Sequence, residues 1–212
     1  MPSYPRIDKG EGFIRTHDLL EELHSDMGRA YEMLEHDRES QYLRRCVVRA
    51  IFSFMEACIE AIKVEVRSNI RTELITPVLT DKDKEVLGSL HIIGDRTADK
   101  QLPLDANVKR TFRLAAKVWG LNSYQLATGG EDFADFLRAK DARNRLTHPR
   151  TYYDVQVTDD DMHYHTIAYH WVWGEFSRLF RARVEDIARS LPPEDGKRLL
   201  QASALGEPGD GV

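Results

Sequence analysis

Residue patterning predicts an all-α protein, a helical bundle of about five to six helices with a long central and a long C-terminal helix. Three observations carry this. Apolar residues recur at steps of three and four along most of the chain, the period of a helix with one buried face. Proline, glycine and short acidic clusters fall between those runs and supply start and stop signals. Only residues 152–157 have the aromatic and β-branched composition of an extended segment.

The first predicted helix is capped by Thr16 or Asp18 and runs to about Asp37, with Leu19, Leu20, Leu23, Met27, Ala30, Tyr31 and Leu34 at helical spacing. The second begins near Arg38 and runs to about Asn69. Its stripe of Leu43, Val47, Ile51, Phe54, Cys58 and Ile62 is widened past half the circumference by Val48, Phe52, Met55 and Ile59, which places it at the centre of a bundle. After Ile75, Thr76 and Pro77, two shorter helices are predicted over 81–93 and 106–119, separated by a loop at 94–105. Glu131 opens a helix with Phe133, Phe136 and Leu137 on one face, and Pro149 closes it because its ring disfavours helix at the residue before. Thr158 and the acids Asp159, Asp160 and Asp161 supply a cap and an acidic first turn for a long last helix. Its core positions are Ala168, Trp171, Val172, Phe176, Leu179, Phe180, Val184, Ile187 and Leu191.

A chain of 212 residues, 42% apolar and 31% charged, has the composition of a globular domain and can bury a substantial core. The expected organisation is one domain over 16–192, a flexible tail over 1–15 and a C-terminal tail over 193–212, disordered at its end. No run approaches a membrane span, and the start has no apolar stretch before a small-residue cleavage site, so a cytoplasmic location is expected. Cys46 and Cys58 lie on one predicted helix with roughly 18 Å of rise between them, too far for a disulfide. A formal net charge of −5 argues against a protein that coats duplex DNA through a broad cationic face.

Between Arg138 and Arg150, however, five basic residues (Arg138, Lys140, Arg143, Arg145 and Arg150) face one acid, Asp141. Within this stretch Arg143 is separated from His148 by four residues; elsewhere, on the first predicted helix, Arg29 is separated from His36 by six. Such spacing arises by chance in a chain this rich in arginine. Context separates the two pairs. Arg143 is followed by the polar Asn144, His148 by the helix-ending Pro149, and the pair joins a short helix to the longest one. Continuing the face of Phe133, Phe136 and Leu137 at roughly 100° per residue puts Asn144 and Thr147 inward, with Arg143 and His148 at the edges. An inner face that turns polar is a site or an interface, since unpaired buried polar groups are costly.

The run Arg143-Asn144-Arg145-Leu146-Thr147-His148-Pro149 resembles the arginine, polar residue, spacer and histidine pattern of the HEPN family, named for higher eukaryotes and prokaryotes nucleotide-binding proteins. The likeness extends more loosely to residues 54–60 on the central helix and to the long last helix. It implies an all-helical fold, a homodimer with two motifs facing across the interface, and metal-independent cleavage of single-stranded RNA in toxin, phage-defence or RNA-processing roles. It also implies that many members are inactive. One branch pairs with small nucleotidyltransferase antitoxins and carries tyrosine two residues after the histidine. Here that position is Arg150, and Tyr152 and Tyr153 are out of register.

RNA can be cut without a metal because its 2′-hydroxyl is an internal nucleophile held near phosphorus. On this reading His148 is the general acid or base, Arg143 stabilises the charged transition state, and Asn144 orients His148 or a ribose hydroxyl. Candidate substrate-binding residues are Lys140, Arg145, Thr147, Arg150 and Glu56, the last either an ion-pair partner of Arg143 or a simple boundary glutamate. The products would be a 2′,3′-cyclic phosphate and a 5′-hydroxyl. Expected partners are single-stranded RNA, a second copy of the chain and an antitoxin protein, with no membrane, metal or cofactor. His163 and His165, two residues apart, fall on different helix faces, and no cysteine or acidic triad joins them and His170 in a site. Two other classes stay open: a catalytically silent HEPN-like RNA- or protein-binding module, and a helical dimeric scaffold without a nucleic-acid role.

Overall fold

The structure is a computed structural model that describes residues 11–71, 74–88 and 102–204. The described residues form seven α-helices and one 3₁₀ turn, with no strand: α1 Glu11–His36, α2 Gln41–Arg71, α3 Asp81–Gly88, α4 Leu104–Val118, α5 Glu131–Thr147, the turn Tyr152–Val155, α6 Asp159–Ser190 and α7 Pro193–Ala204. The all-α class therefore holds, with seven helices where the sequence predicts about five to six.

The additional helix, α7, lies in the segment expected to be a tail. Pro193 sits at its first position, where a missing N–H is harmless, and Glu194 and Asp195 face the positive end of the helix dipole. It folds back on α6 through a close approach at Gly196, where a Cβ would stand 2.5 Å from the Ala188 carbonyl oxygen. Only glycine fits that contact. At the other end α1 starts at Glu11, earlier than the predicted cap at Thr16 or Asp18. The segment over 152–157, expected to be extended, instead starts with the 3₁₀ turn, because Asp154 and Thr151 form a capping box that tightens the backbone. The predicted third helix is described only as far as Gly88; its remainder, and most of the loop after it, lie outside the described residues, as do 1–10 and 205–212.

α2 occupies the centre and packs against α1, α4, α5 and α6. Val47, Val48, Ile51, Phe52, Phe54, Met55, Cys58, Ile59 and Ile62 are all buried on it, as the wide apolar stripe demands. Burial pushes the Cys58 thiol far above its ordinary range, so this sulfur behaves as a small hydrophobe. α6 lies along α2 and α5, contributing Ala168, Trp171, Val172 and Leu179 to the core, while Leu191 at its end is exposed. Trp171 packs on both Phe133 and Phe136 with ring centroids 5.1 Å apart, and its indole donates to the Ala127 carbonyl at 3.0 Å. This aromatic cluster fixes α5 against α6. No helix among the described residues is long and apolar enough to cross a membrane.

Candidate functional site

α5 is buried at Phe133, Phe136, Ala139 and Ala142. These positions advance by three, so each step turns the inward stripe by roughly 60° around the helix. The contact line follows the i+3 ridge across α6 and α2 rather than a fixed face. By the last turn it has rotated to the side of Leu146, which is partly buried and packed on the core. The expectation that Asn144 and Thr147 point inward is therefore corrected: both are exposed. Thr147 Oγ1 donates to the Arg143 carbonyl at 2.8 Å, a local bond within the helix.

Arg143 stands at the boundary of this stripe and reaches α2. Its Nη2 donates to Glu56 Oε1 at 2.8 Å, with the two side chains 33% and 45% exposed. The guanidinium also lies over the Phe52 ring, 5.7 Å from its centroid. Glu56 is thus the ion-pair partner of Arg143, one helical turn beyond Phe52. A side chain held by a carboxylate on one edge and a ring below has little freedom. Its Nη1 reaches Asn144 Oδ1 at 3.5 Å.

His148 is the C-cap of α5, at φ −126° and ψ 59°, with its backbone N–H on the Asn144 carbonyl. Pro149 ends the helix there as predicted. The His148 side chain is exposed and has no hydrogen bond or ion pair among the described residues. The Arg150 guanidinium is likewise exposed and unpaired among them; only its backbone N–H is used, on Asp154 Oδ2 at 2.8 Å.

Arg145 has a different part. Two positions from Arg143 means roughly 200° around the helix, so it leaves on the opposite side. Its Nη2 donates to Asp161 Oδ2 at 2.8 Å, and its Nη1 to the carbonyls of Gln156 at 2.9 Å and Tyr153 at 3.4 Å. It braces the end of α5, the 3₁₀ turn and the first turn of α6 together. Lys140, one turn before Arg143, is drawn to α4 by Asp105 at 3.1 Å. Arg143, Asn144, His148 and Arg150 thus follow one another along the C-terminal end of α5 and just beyond it, with Arg143 joined to Glu56 and Asn144, while Lys140 and Arg145 have partners elsewhere in the fold.

The connection that follows is tied down along its length. Asp154 Oδ2 accepts from the backbone N–H groups of Arg150 and Thr151 and from the Thr151 hydroxyl, and these bonds hold its carboxyl below the usual range. Arg45 donates to the Val155 carbonyl at 2.9 Å, and Gln41 pairs both backbone groups of Val157. Thr158 then caps α6 as predicted, and does so in a capping box with Asp161.

Beneath the motif, His165 of α6 is fully buried and meets the Phe52 ring edge-on at 5.4 Å. Its Nδ1 bonds the Asp161 carbonyl, while Nε2 is buried with no hydrogen-bond partner among the described residues. Burial pushes its pKa down, holding the ring neutral. His163 and His170 are exposed, apart from it. Among the described residues, His17, Asp18 and Glu21 alone bring three possible metal-ligand atoms within 4.8 Å, and all are exposed on α1.

Sequence reasoning missed the bracing role of Arg145, the burial of His165 and the exposure of Tyr152 and Tyr153. For the tyrosines a signal existed: they fall in a short turn flanked by Thr and Asp, outside the helices whose apolar stripes build the core. Comparisons of the chain with protein-family models, with curated proteins and with solved structures find no match.

Proposed function

We propose that this chain is a HEPN-type endoribonuclease that cuts single-stranded RNA without a metal ion, in a toxin, phage-defence or RNA-processing setting. One observation carries the reading: an anchored guanidinium, Arg143 on Glu56, shares a helix end with an exposed and unencumbered imidazole, His148. A proton-transfer group must be free to exchange, and a charge-stabilising group gains by being held in place before substrate arrives.

In the reaction the ribose 2′-oxygen attacks phosphorus as its proton leaves, and the bond to the 5′-oxygen breaks as that oxygen is protonated. His148 performs one of these transfers, imidazole being the side chain that titrates near neutrality. Arg143 offers its remaining N–H donors to the phosphoryl oxygens as negative charge builds. Asn144 orients a ribose hydroxyl or the imidazole, and Arg150 neutralises a flanking phosphate. The products are a 2′,3′-cyclic phosphate and a 5′-hydroxyl. A second copy of the chain would bring another His148 to the same phosphate and supply the complementary transfer; the exposure of Asn144, His148 and Arg150 leaves them accessible to it.

A second reading has its own observation. Glu56 already satisfies part of the Arg143 guanidinium, as expected of a catalytically silent module that binds RNA or protein through the remaining surface. Incubating the protein with short unpaired RNA in EDTA separates the two. Cleavage with cyclic-phosphate ends, lost in His148→Ala and in Arg143→Ala, supports the enzyme. Binding without cleavage supports the module, and neither leaves a helical scaffold.

A further inference from the structure

Tyr152 and Tyr153 are 73% and 77% exposed, in a chain whose other aromatic side chains mostly pack into the core. Their rings touch each other edge-to-face, with centroids 5.9 Å apart at 73°. The backbone beneath them is over-determined: Asp154 and Thr151 close the capping box, Arg145 holds the Tyr153 carbonyl and Arg45 the Val155 carbonyl. Two aromatic rings are thus presented to solvent on a braced turn, four and five residues beyond His148. Along the chain that is at most about 14–18 Å, a span of a few nucleotides.

We propose that Tyr152 and Tyr153 form a base-stacking platform, so that the site takes unpaired RNA whose bases can leave their own stack. The proposal rests on the ribonuclease reading only for where the scissile phosphate lies. Arg143, His148 and Arg150 serve the phosphate chain, which is alike in paired and unpaired RNA, and so they do not select between the two. Exposed rings do, because a base within a duplex has both faces covered by its neighbours. Placing the rings on a braced turn removes most of the ordering cost of forming such a subsite.

The test is equilibrium binding of a labelled unpaired oligoribonucleotide to the full chain carrying His148→Ala, so that cleavage does not intervene. Replacing both tyrosines by alanine is expected to weaken binding about 5- to 150-fold, the range for loss of aromatic–base stacking. Phenylalanine at both positions restores affinity, since the face and not the hydroxyl is used. RNA made abasic beside the scissile position loses affinity with the native tyrosines and loses little more with alanine, the signature of a shared contact. In the cleaving chain, KM rises while kcat holds.

Unchanged affinity in the alanine pair overturns the platform. So does an equal loss on duplex RNA, or a shift of oligomeric state in sedimentation, which would assign the rings to a protein interface. The two proposals fail separately. Tyrosine-dependent binding with no product removes the ribonuclease and keeps the platform, whereas cleavage indifferent to the tyrosines does the reverse. No binding of RNA removes both.

Discussion

Replacing Arg145 by methionine keeps the aliphatic stem and removes only the guanidinium. The lost bonds are those to Asp161 at 2.8 Å and to the Gln156 carbonyl at 2.9 Å, with a weaker one to Tyr153 at 3.4 Å. Hydrogen bonds to charged groups contribute about 1.5–3 kcal/mol each. With the Arg145 and Asp161 side chains 31% and 14% exposed, solvent competes for part of this, and we expect a total loss of about 2–4 kcal/mol. For a chain of this size that lowers Tm by about 4–15 °C. Thermal unfolding followed by circular dichroism measures it, with Arg150→Met as the control. The Arg150 guanidinium is exposed and unpaired among the described residues, so its loss is expected to change stability by no more than about 0.5 kcal/mol. If Arg145→Met melts with the native chain yet loses more RNA affinity than Arg150→Met, Arg145 is a ligand contact and the bracing role is refuted.

Glu56→Gln breaks a half-exposed pair, and stability is expected to fall by only about 0.2–1 kcal/mol, while the freed Arg143 loses its orientation. On the proposed ribonuclease reading, turnover is expected to drop by an order of magnitude or more; an unchanged kcat would show that Glu56 does not position Arg143. His165 has its pKa lowered by burial, so the folded state favours the neutral ring. Its stability contribution is complete above the unfolded value near 6.5 and is lost as pH falls through the lower folded value. His165→Leu is therefore expected to flatten the acid side of a Tm–pH profile below about pH 6.5, and an unaltered profile would assign that loss to other groups. Asp154→Ala removes the acceptor of three bonds in the connection after His148, and amide hydrogen exchange at 150–156 should accelerate relative to the core of α6. Phe136→Ala opens a cavity at a fully buried position against Trp171 and should cost about 3–5 kcal/mol, read from denaturant unfolding.

What the amino-acid sequence determined by itself was local. The breadth of the apolar stripe on α2 declared it central, Thr158 and Asp161 declared the start of α6, and Pro149 declared the end of α5, because periodicity, caps and proline act within a few residues. The places of Arg143 in the last turns of α5 and of His148 at its C-cap were legible through that same helix end. Their surroundings were not. Arg143 finds Glu56 on α2 across 87 positions and Arg145 finds Asp161 on α6 across 16, and two identical side chains two residues apart receive different duties because each reaches a different neighbouring helix. The outward turn of Asn144 and Thr147 follows from a contact ridge that winds around α5, which a wheel anchored on Phe133 and Phe136 does not track over three turns. α7 depended on Gly196 meeting the Ala188 carbonyl, a fit between two backbones that exists only once α6 is in place.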